Sequence, residues 1–202
     1  MMRTPAMVLA SLTLVAAPAV AQSGLSLVGG FVSSNISYEE GGESENDAFA
    51  SRTGFALGVG AQRQLARSLS FAPEALYVIK GTKDPESDAN IKFSYIELPL
   101  LFRYSFGSGG QASPFITAGP TVSFQLACDL NDEDDETLTC DDAFGEDESY
   151  DSMDYGIMFG AGVQFNRFGV SARYEMGLKD IDKAEFIESK NKTLMVLASY
   201  AF

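Results

Sequence analysis

The sequence predicts an all-β protein, specifically an eight-stranded antiparallel up-and-down transmembrane β-barrel. Three observations predict it: eight segments alternate with a period of two, their connectors are alternately long and short, and one face of each strand is bulky and apolar. The opposite face carries small, polar or charged residues. A water-soluble barrel would place its large apolar residues inside, so this pattern favours a barrel whose outer face contacts lipid.

The predicted strands and connectors follow one another regularly along the chain. The strands are 25–36, 54–64, 69–79, 93–104, 114–126, 155–165, 168–178 and 192–202. The long, polar connectors are 37–53, 80–92, 127–154 and 179–191, and the short ones are 65–68, 105–113 and 166–167. Because eight is an even number, both termini are expected in the periplasm and the long connectors outside the cell.

The individual strands support this assignment unequally. In the second strand Phe55, Leu57 and Val59 alternate with Ala56, Gly58 and Gly60, and the sixth strand, around Phe159, alternates in the same way. In the first strand, Gly29-Gly30 leaves open which face its apolar residues occupy.

Three prolines lie inside predicted strands, where each removes a ladder donor, so bulges or broken pairing are expected there. They are Pro73, Pro99 and Pro120.

The amino terminus predicts export from the cytoplasm of a Gram-negative bacterium. Arg3 precedes a short apolar stretch, 6–16, and Ala19-Val20-Ala21 has the small-residue pattern of a cleavage site. A membrane anchor, the alternative, needs about 20 apolar residues. We therefore expect a signal peptide at 1–21 and a mature outer-membrane barrel domain at 22–202, a monomer embedded in outer-membrane lipid.

The charge is strongly acidic and unevenly distributed. The chain has a formal net charge of −14 and no histidine, and this charge argues against nucleic acid as a partner. Thirteen of the 28 acidic residues lie in connector 127–154, which contains no Lys or Arg. This connector is expected to be either a solvated loop or a surface for an extracellular protein or Ca²⁺. No EF-hand spacing is present, so no defined metal site and no cofactor are predicted.

The two cysteines, Cys128 and Cys140, lie in the same acidic connector. In an exported protein they are expected to form a disulfide, which would contribute about 3 kcal/mol through a short closed loop. Two cysteines without histidine fall short of a zinc site.

Charged residues are also predicted inside the barrel. Strand parity places five of them on the inner face: Glu74, Glu97, Arg103, Arg173 and Glu175. Two interpretations remain open, a structural plug of ion pairs or a narrow path or binding site for transport. Without a histidine the usual acid–base machinery of small barrel enzymes is missing, so catalysis is not expected.

The last strand, TLMVLASYAF (193–202), alternates cleanly and ends on Phe202. Its ending, with Tyr200 and Phe202 on the apolar face, resembles the signal that the barrel-assembly machinery reads during insertion. The chain as a whole resembles the PorT-like group of outer-membrane β-barrel proteins. The resemblance rests on these stretches: SFAPEALYVIKG (70–81), YIELPLLFRYSF (95–106), PFITAGPTVSF (114–124), GIMFGAGVQF (156–165) and VSARYEMGL (170–178).

The PorT-like resemblance implies an eight-stranded barrel in the outer membrane and very little about activity. The expected function is therefore a non-enzymatic anchor whose acidic loops contact proteins or cations. The alternative is a narrow transport channel or secretion-accessory barrel that uses the inward Glu and Arg residues.

Overall fold

A computed structural model describes residues 24–40, 43–45, 50–83, 90–106, 112–131, 137–139, 153–178 and 188–202. The eight long strands are β1 (Gly24–Glu40), β3 (Ala50–Gln64), β4 (Leu69–Lys83), β5 (Asn90–Ser105), β6 (Ala112–Asn131), β8 (Met153–Phe165), β9 (Phe168–Gly177) and β10 (Glu188–Ala201). Two short strands, β2 (Glu43–Glu45) and β7 (Thr137–Thr139), pair with β1 and β6. Among these residues, no helix is long and apolar enough to span a membrane.

The strands form a closed antiparallel barrel, as the sequence predicted. Each long strand pairs with the next along the chain, and β10 closes the sheet against β1. The closing register runs from Ser26 opposite Ala201 to Glu39 opposite Glu188. Closure removes the free edges that an open sheet would present.

The strands are longer than predicted, because several extend into the connectors assigned from sequence. β4 continues to Lys83, β6 continues to Asn131, and β8 begins at Met153 rather than at 155. The predicted connectors 37–53, 80–92, 127–154 and 179–191 were therefore too long at their ends, except at the start of 179–191, where β9 already ends at Gly177. Polar residues end an apolar pattern but do not end β-pairing, which continues beyond the membrane.

Short turns close the barrel at the end that we call the periplasmic end, following the usual topology of such barrels. Between β8 and β9 the turn consists of Asn166 and Arg167, and Asn166 has a φ of 51°. Asparagine adopts this left-handed conformation more readily than most residues. Between β3 and β4 the amides of Leu65 and Ala66 both donate to the carbonyl of Leu69.

Burial separates the two faces of the sheet. In β9 the residues at alternate positions from Gly169 to Gly177 are buried, and their neighbours are exposed. The ambiguity in the first strand is resolved, because Val28 and Val32 point inward and Phe31 is 72% exposed. The exposed outer face carries many large apolar residues, which is the arrangement that a lipid environment requires.

The three prolines do not produce the expected bulges. The two register shifts lie elsewhere, between Ser51 and Ala56 and between Ser94 and Tyr95. Each proline lies in a gap of one ladder without a change of register: Pro73 between β3 and β4, Pro99 between β4 and β5, and Pro120 between β5 and β6. On its other side Pro120 stays paired with β8. Broken pairing was thus a correct expectation for all three prolines, and bulging for none.

Candidate functional site: ion pairs inside the barrel

The barrel interior contains ion pairs from three strands. Glu74 on β4, Glu97 on β5, and Arg173 and Glu175 on β9 all lie in the interior, with side chains that are at most 9% exposed. Arg103, on β5, is half-buried nearer the periplasmic end. These five residues were singled out by strand parity. The structure brings four of them into two ion-pair clusters, and Arg103 lines a small cavity with Glu74 and Arg173 without forming an ion pair.

The first cluster centres on Lys80, which the sequence analysis missed. The Lys80 ammonium lies 2.7 Å from Glu97 Oε2 and also forms an ion pair with Glu175. Thr121 Oγ1 donates a hydrogen bond of 2.9 Å to the second oxygen of Glu175. Lys80 is 2% exposed and Glu97 is 0% exposed. One cation is thus shared by two carboxylates from two other strands, in a position shielded from water.

The second cluster is a bidentate pair between β9 and β4. Arg173 Nη1 and Nη2 donate to the two carboxylate oxygens of Glu74, at 2.6 and 2.9 Å. Arg173 Nε donates to Ser171 Oγ at 3.3 Å. This two-point geometry makes the guanidinium–carboxylate pair both strong and directional, and it connects strands that are not neighbours in the sheet.

Arg103 forms no ion pair with a carboxylate of the described residues. Its guanidinium donates two long hydrogen bonds, to Gln62 Oε1 at 3.4 Å and to Gln164 Oε1 at 3.3 Å. Its central carbon lies 3.6 Å from the centroid of the Phe115 ring. This contact is a cation–π interaction. The arginine is therefore held by a ring and by neutral amides.

Apolar side chains share the interior with these charges. One buried cluster contains Val28, Val32, Ala56, Leu76, Val78, Leu101, Met158, Met195 and Leu197. The expectation that the inner face is small, polar or charged was therefore incomplete. In an eight-stranded barrel the interior is only wide enough for side chains, and large apolar residues fill the space that the ion pairs leave.

Two buried charges lie at positions that the sequence analysis assigned to connectors. Lys80 continues the inward alternation of Glu74, Leu76 and Val78, and this parity would have identified it had the strand been extended by one residue. Asp154, buried at the start of β8, was likewise counted as part of an acidic loop.

Several predicted features lie partly or wholly outside the described residues. They include the signal peptide 1–21, Cys140, and the acidic residues between 132 and 136 and between 140 and 152. Cys128 lies near the outer end of β6. In the described part of the chain, no three Asp, Glu or Cys residues are grouped as a metal site would require. The disulfide and the Ca²⁺ site remain predictions.

A closed eight-stranded barrel with an apolar outer face and paired charges inside defines a transmembrane β-barrel. Residues 20–183 match the model of the family described as outer membrane protein beta-barrel domain, and the chain belongs to this family. The family assignment supports a location in the outer membrane. A search of curated proteins found no match.

Several solved outer-membrane proteins are similar to this chain. Ail, the attachment invasion locus protein of Yersinia pestis, has 16% identity and a TM-score of 0.44, with 90% of this chain and 99% of that chain covered. OprG from Pseudomonas aeruginosa has 13% identity and a TM-score of 0.49, covering 89% and 96%. The outer membrane enzyme PagL has 14% identity and a TM-score of 0.48, covering 89% and 99%.

Proposed function

We propose that this protein is a non-enzymatic outer-membrane barrel that anchors acidic extracellular loops. The observation that carries the proposal is the occlusion of the interior. Lys80, Glu97, Leu76, Met158 and Met195 are at most 2% exposed, so water hardly reaches them. A lumen blocked by ion pairs and apolar side chains suits an anchor better than a channel.

The acidic loops are the part of the chain that would face other molecules. Residues 132–152, between β6 and β8, hold eleven of the 28 acidic residues, and their carboxylates would repel one another unless a basic protein surface or divalent cations bind there. We propose such contacts as the role of the loop, with a Cys128–Cys140 disulfide closing its base. The absence of histidine from the sequence supports a role that involves no catalysis.

Two further proposals concern the branch of the family and the insertion of the barrel into the membrane. The five strand motifs given above support membership of the PorT-like branch of the family. The apolar face of the last strand, with Tyr200 and Phe202, supports recognition by the barrel-assembly machinery during insertion. Ring contacts of 5.5 Å between Tyr200 and Phe202 and of 4.9 Å between Phe168 and Tyr200 form a compact aromatic patch.

Conductance across planar bilayers tests the anchor proposal against the channel alternative. We expect the wild-type barrel to be silent, with insertion verified by protease protection of the membrane-spanning strands in the same lipid. Discrete openings that disappear in Arg103→Ala would contradict the anchor proposal and favour transport.

Calorimetry with Ca²⁺ tests the role of the loop. Replacing Asp132, Asp134 and Asp135 together by Asn should abolish saturable heat if the loop binds the cation specifically. A matched control changes Glu40, Glu43 and Glu45 to Gln, which also removes three negative charges at the same end of the barrel. Equal loss in both variants, or no saturable heat in the wild type, would exclude a specific site in this loop.

A further inference from the structure

The periplasmic end of the barrel contains a polar cavity with an arginine beside it. The cavity has a volume of about 440 Å³ and is lined entirely by described residues. Apart from Arg103, its lining is neutral and mostly polar, and it includes Gln62, Gln164, Ser105 and Ser113. Cavities of this size accommodate small molecules.

Arg103 has unused hydrogen-bonding capacity in this cavity. A guanidinium has five N–H donors, whereas Arg103 makes two hydrogen bonds, of 3.3 and 3.4 Å. Both are longer than the usual range of about 2.7–3.2 Å. Its Nε is buried and has no hydrogen-bond partner. The ring of Phe115 covers one face and supports the group without neutralising it.

The charge of the side chains around the cavity is also one-sided. The stretches that form this end, 24–31, 60–73, 100–106, 112–118, 159–172 and 196–202, contain four arginines and no Asp or Glu. The segments that adjoin them in sequence, 1–23 and 107–111, contain no acidic residue either. The nearest acidic position along the inner face of β4, Glu74, is already bound by Arg173 on two sides. Glu74 lines a smaller cavity together with Arg103, but its ion pair is with Arg173, so Arg103 has no ion-pair partner among the described carboxylates.

From these observations we propose that the cavity is a binding site for a small water-soluble oxyanion, a carboxylate or a phosphate. The planar fork of arginine matches both groups with two parallel hydrogen bonds. The hydroxyls of Ser105 and Ser113 line the same cavity and supply neutral donors. This site is separate from the acidic loops at the opposite end, and it requires no passage through the barrel.

NMR of the folded barrel in zwitterionic micelles tests the site directly. The Nε–Hε signal of Arg103 and the amide signals of Ser105 and Ser113 are followed during titrations with inorganic phosphate and with acetate. Sodium chloride keeps the ionic strength constant, because screening alone changes surface electrostatics. We expect saturable shifts with at least one probe, and the probe with the tighter binding identifies the anion class.

Variants distinguish a built site from general attraction to a basic end. Arg103→Gln should weaken binding at least about tenfold, as expected for losing charge-assisted hydrogen bonds. Arg67→Gln, in the β3–β4 turn and outside the cavity lining, should change affinity less than about twofold. Ser113→Leu leaves Arg103 in place but fills the cavity, so it should also weaken binding and serves if Arg103→Gln misfolds.

Three outcomes would overturn the proposal. They are shifts that increase linearly without saturation for both probes, equal losses in Arg67→Gln and Arg103→Gln, and unchanged binding in Ser113→Leu.

Discussion

Replacing Lys80 by Met is the most demanding test of the ion-pair network inside the barrel. The substitution keeps the length of the side chain and removes its charge, so the carboxylates of Glu97 and Glu175 lose their shared cation. Both carboxylates are buried. Removing one partner of a buried ion pair costs about 3–5 kcal/mol, because an uncompensated charge is left behind. We expect a loss of that size in the free energy of unfolding.

A matched control is available in the neighbouring strand. Lys92 forms an ion pair of 3.2 Å with Asp129, but the two side chains are 33% and 27% exposed. Ion pairs that solvent reaches contribute about 0–1 kcal/mol. Lys92→Met should therefore cost at most about 1 kcal/mol, although the chemical change is identical.

Urea titration of the barrel in lipid vesicles measures both variants, with the shift in electrophoretic mobility on heating as the readout of folding. A rescue experiment separates charge from packing. Changing Glu97 and Glu175 to Gln in the Lys80→Met background removes the uncompensated charges and should recover at least half of the lost stability. A loss below about 1 kcal/mol for Lys80→Met, or no recovery in the triple variant, would refute the reasoning.

Three other predictions concern different parts of the barrel. Arg173→Met leaves the buried carboxylate of Glu74 without its bidentate partner, so urea titration should show that the free energy of unfolding falls by about 3–5 kcal/mol. A further change of Glu74 to Gln should restore most of this stability. An additive loss in the double variant would contradict the pairing. In Gly58→Ala the new Cβ would lie 2.0 Å from the carbonyl oxygen of Ala75, and we expect a loss of about 1–3 kcal/mol. Gly24→Ala, which meets nothing within 4 Å, is the control, and equal effects would contradict the close approach of the strands. Cys128→Ser should lower the free energy of unfolding by about 3 kcal/mol under oxidising conditions and leave it unchanged under reducing conditions. Mass spectrometry of the unreduced chain should find Cys128 and Cys140 linked.

The fold was predictable from sequence because lipid outside and a narrow interior impose opposite demands on alternate residues. Phe159 and Met158, adjacent in β8, illustrate this, since one is exposed on the outer face and the other is fully buried. The eight strands, their order and their closure all follow from such alternation. The positions of the strand ends did not follow, because β-pairing continues where apolar patterning stops.

That limit explains why Lys80 was missed. The residue lies one position beyond the predicted strand, at a point where a lysine looks like the start of a polar loop. Only the partners contributed by β5 and β9 make it a buried residue, and a single strand contains no information about them. Pairing between Arg173 and Glu74, which are 99 residues apart, was equally inaccessible. Strand parity placed Arg173 and Glu74 on the inner face but could not determine their relative positions along the barrel axis.

A transmembrane barrel requires its apolar face outside and its charged face inside, and quenching of tryptophan fluorescence measures this orientation most directly. The sequence contains no tryptophan, so a single introduced residue reports alone. The variant Phe159→Trp tests the outer face, and the variant Ser113→Trp tests the periplasmic cavity. We predict that lipids brominated on their acyl chains quench the indole of the Phe159→Trp variant and spare that of the Ser113→Trp variant, and that aqueous iodide does the reverse. The opposite pattern would contradict a barrel with its apolar face in lipid and its charges inside.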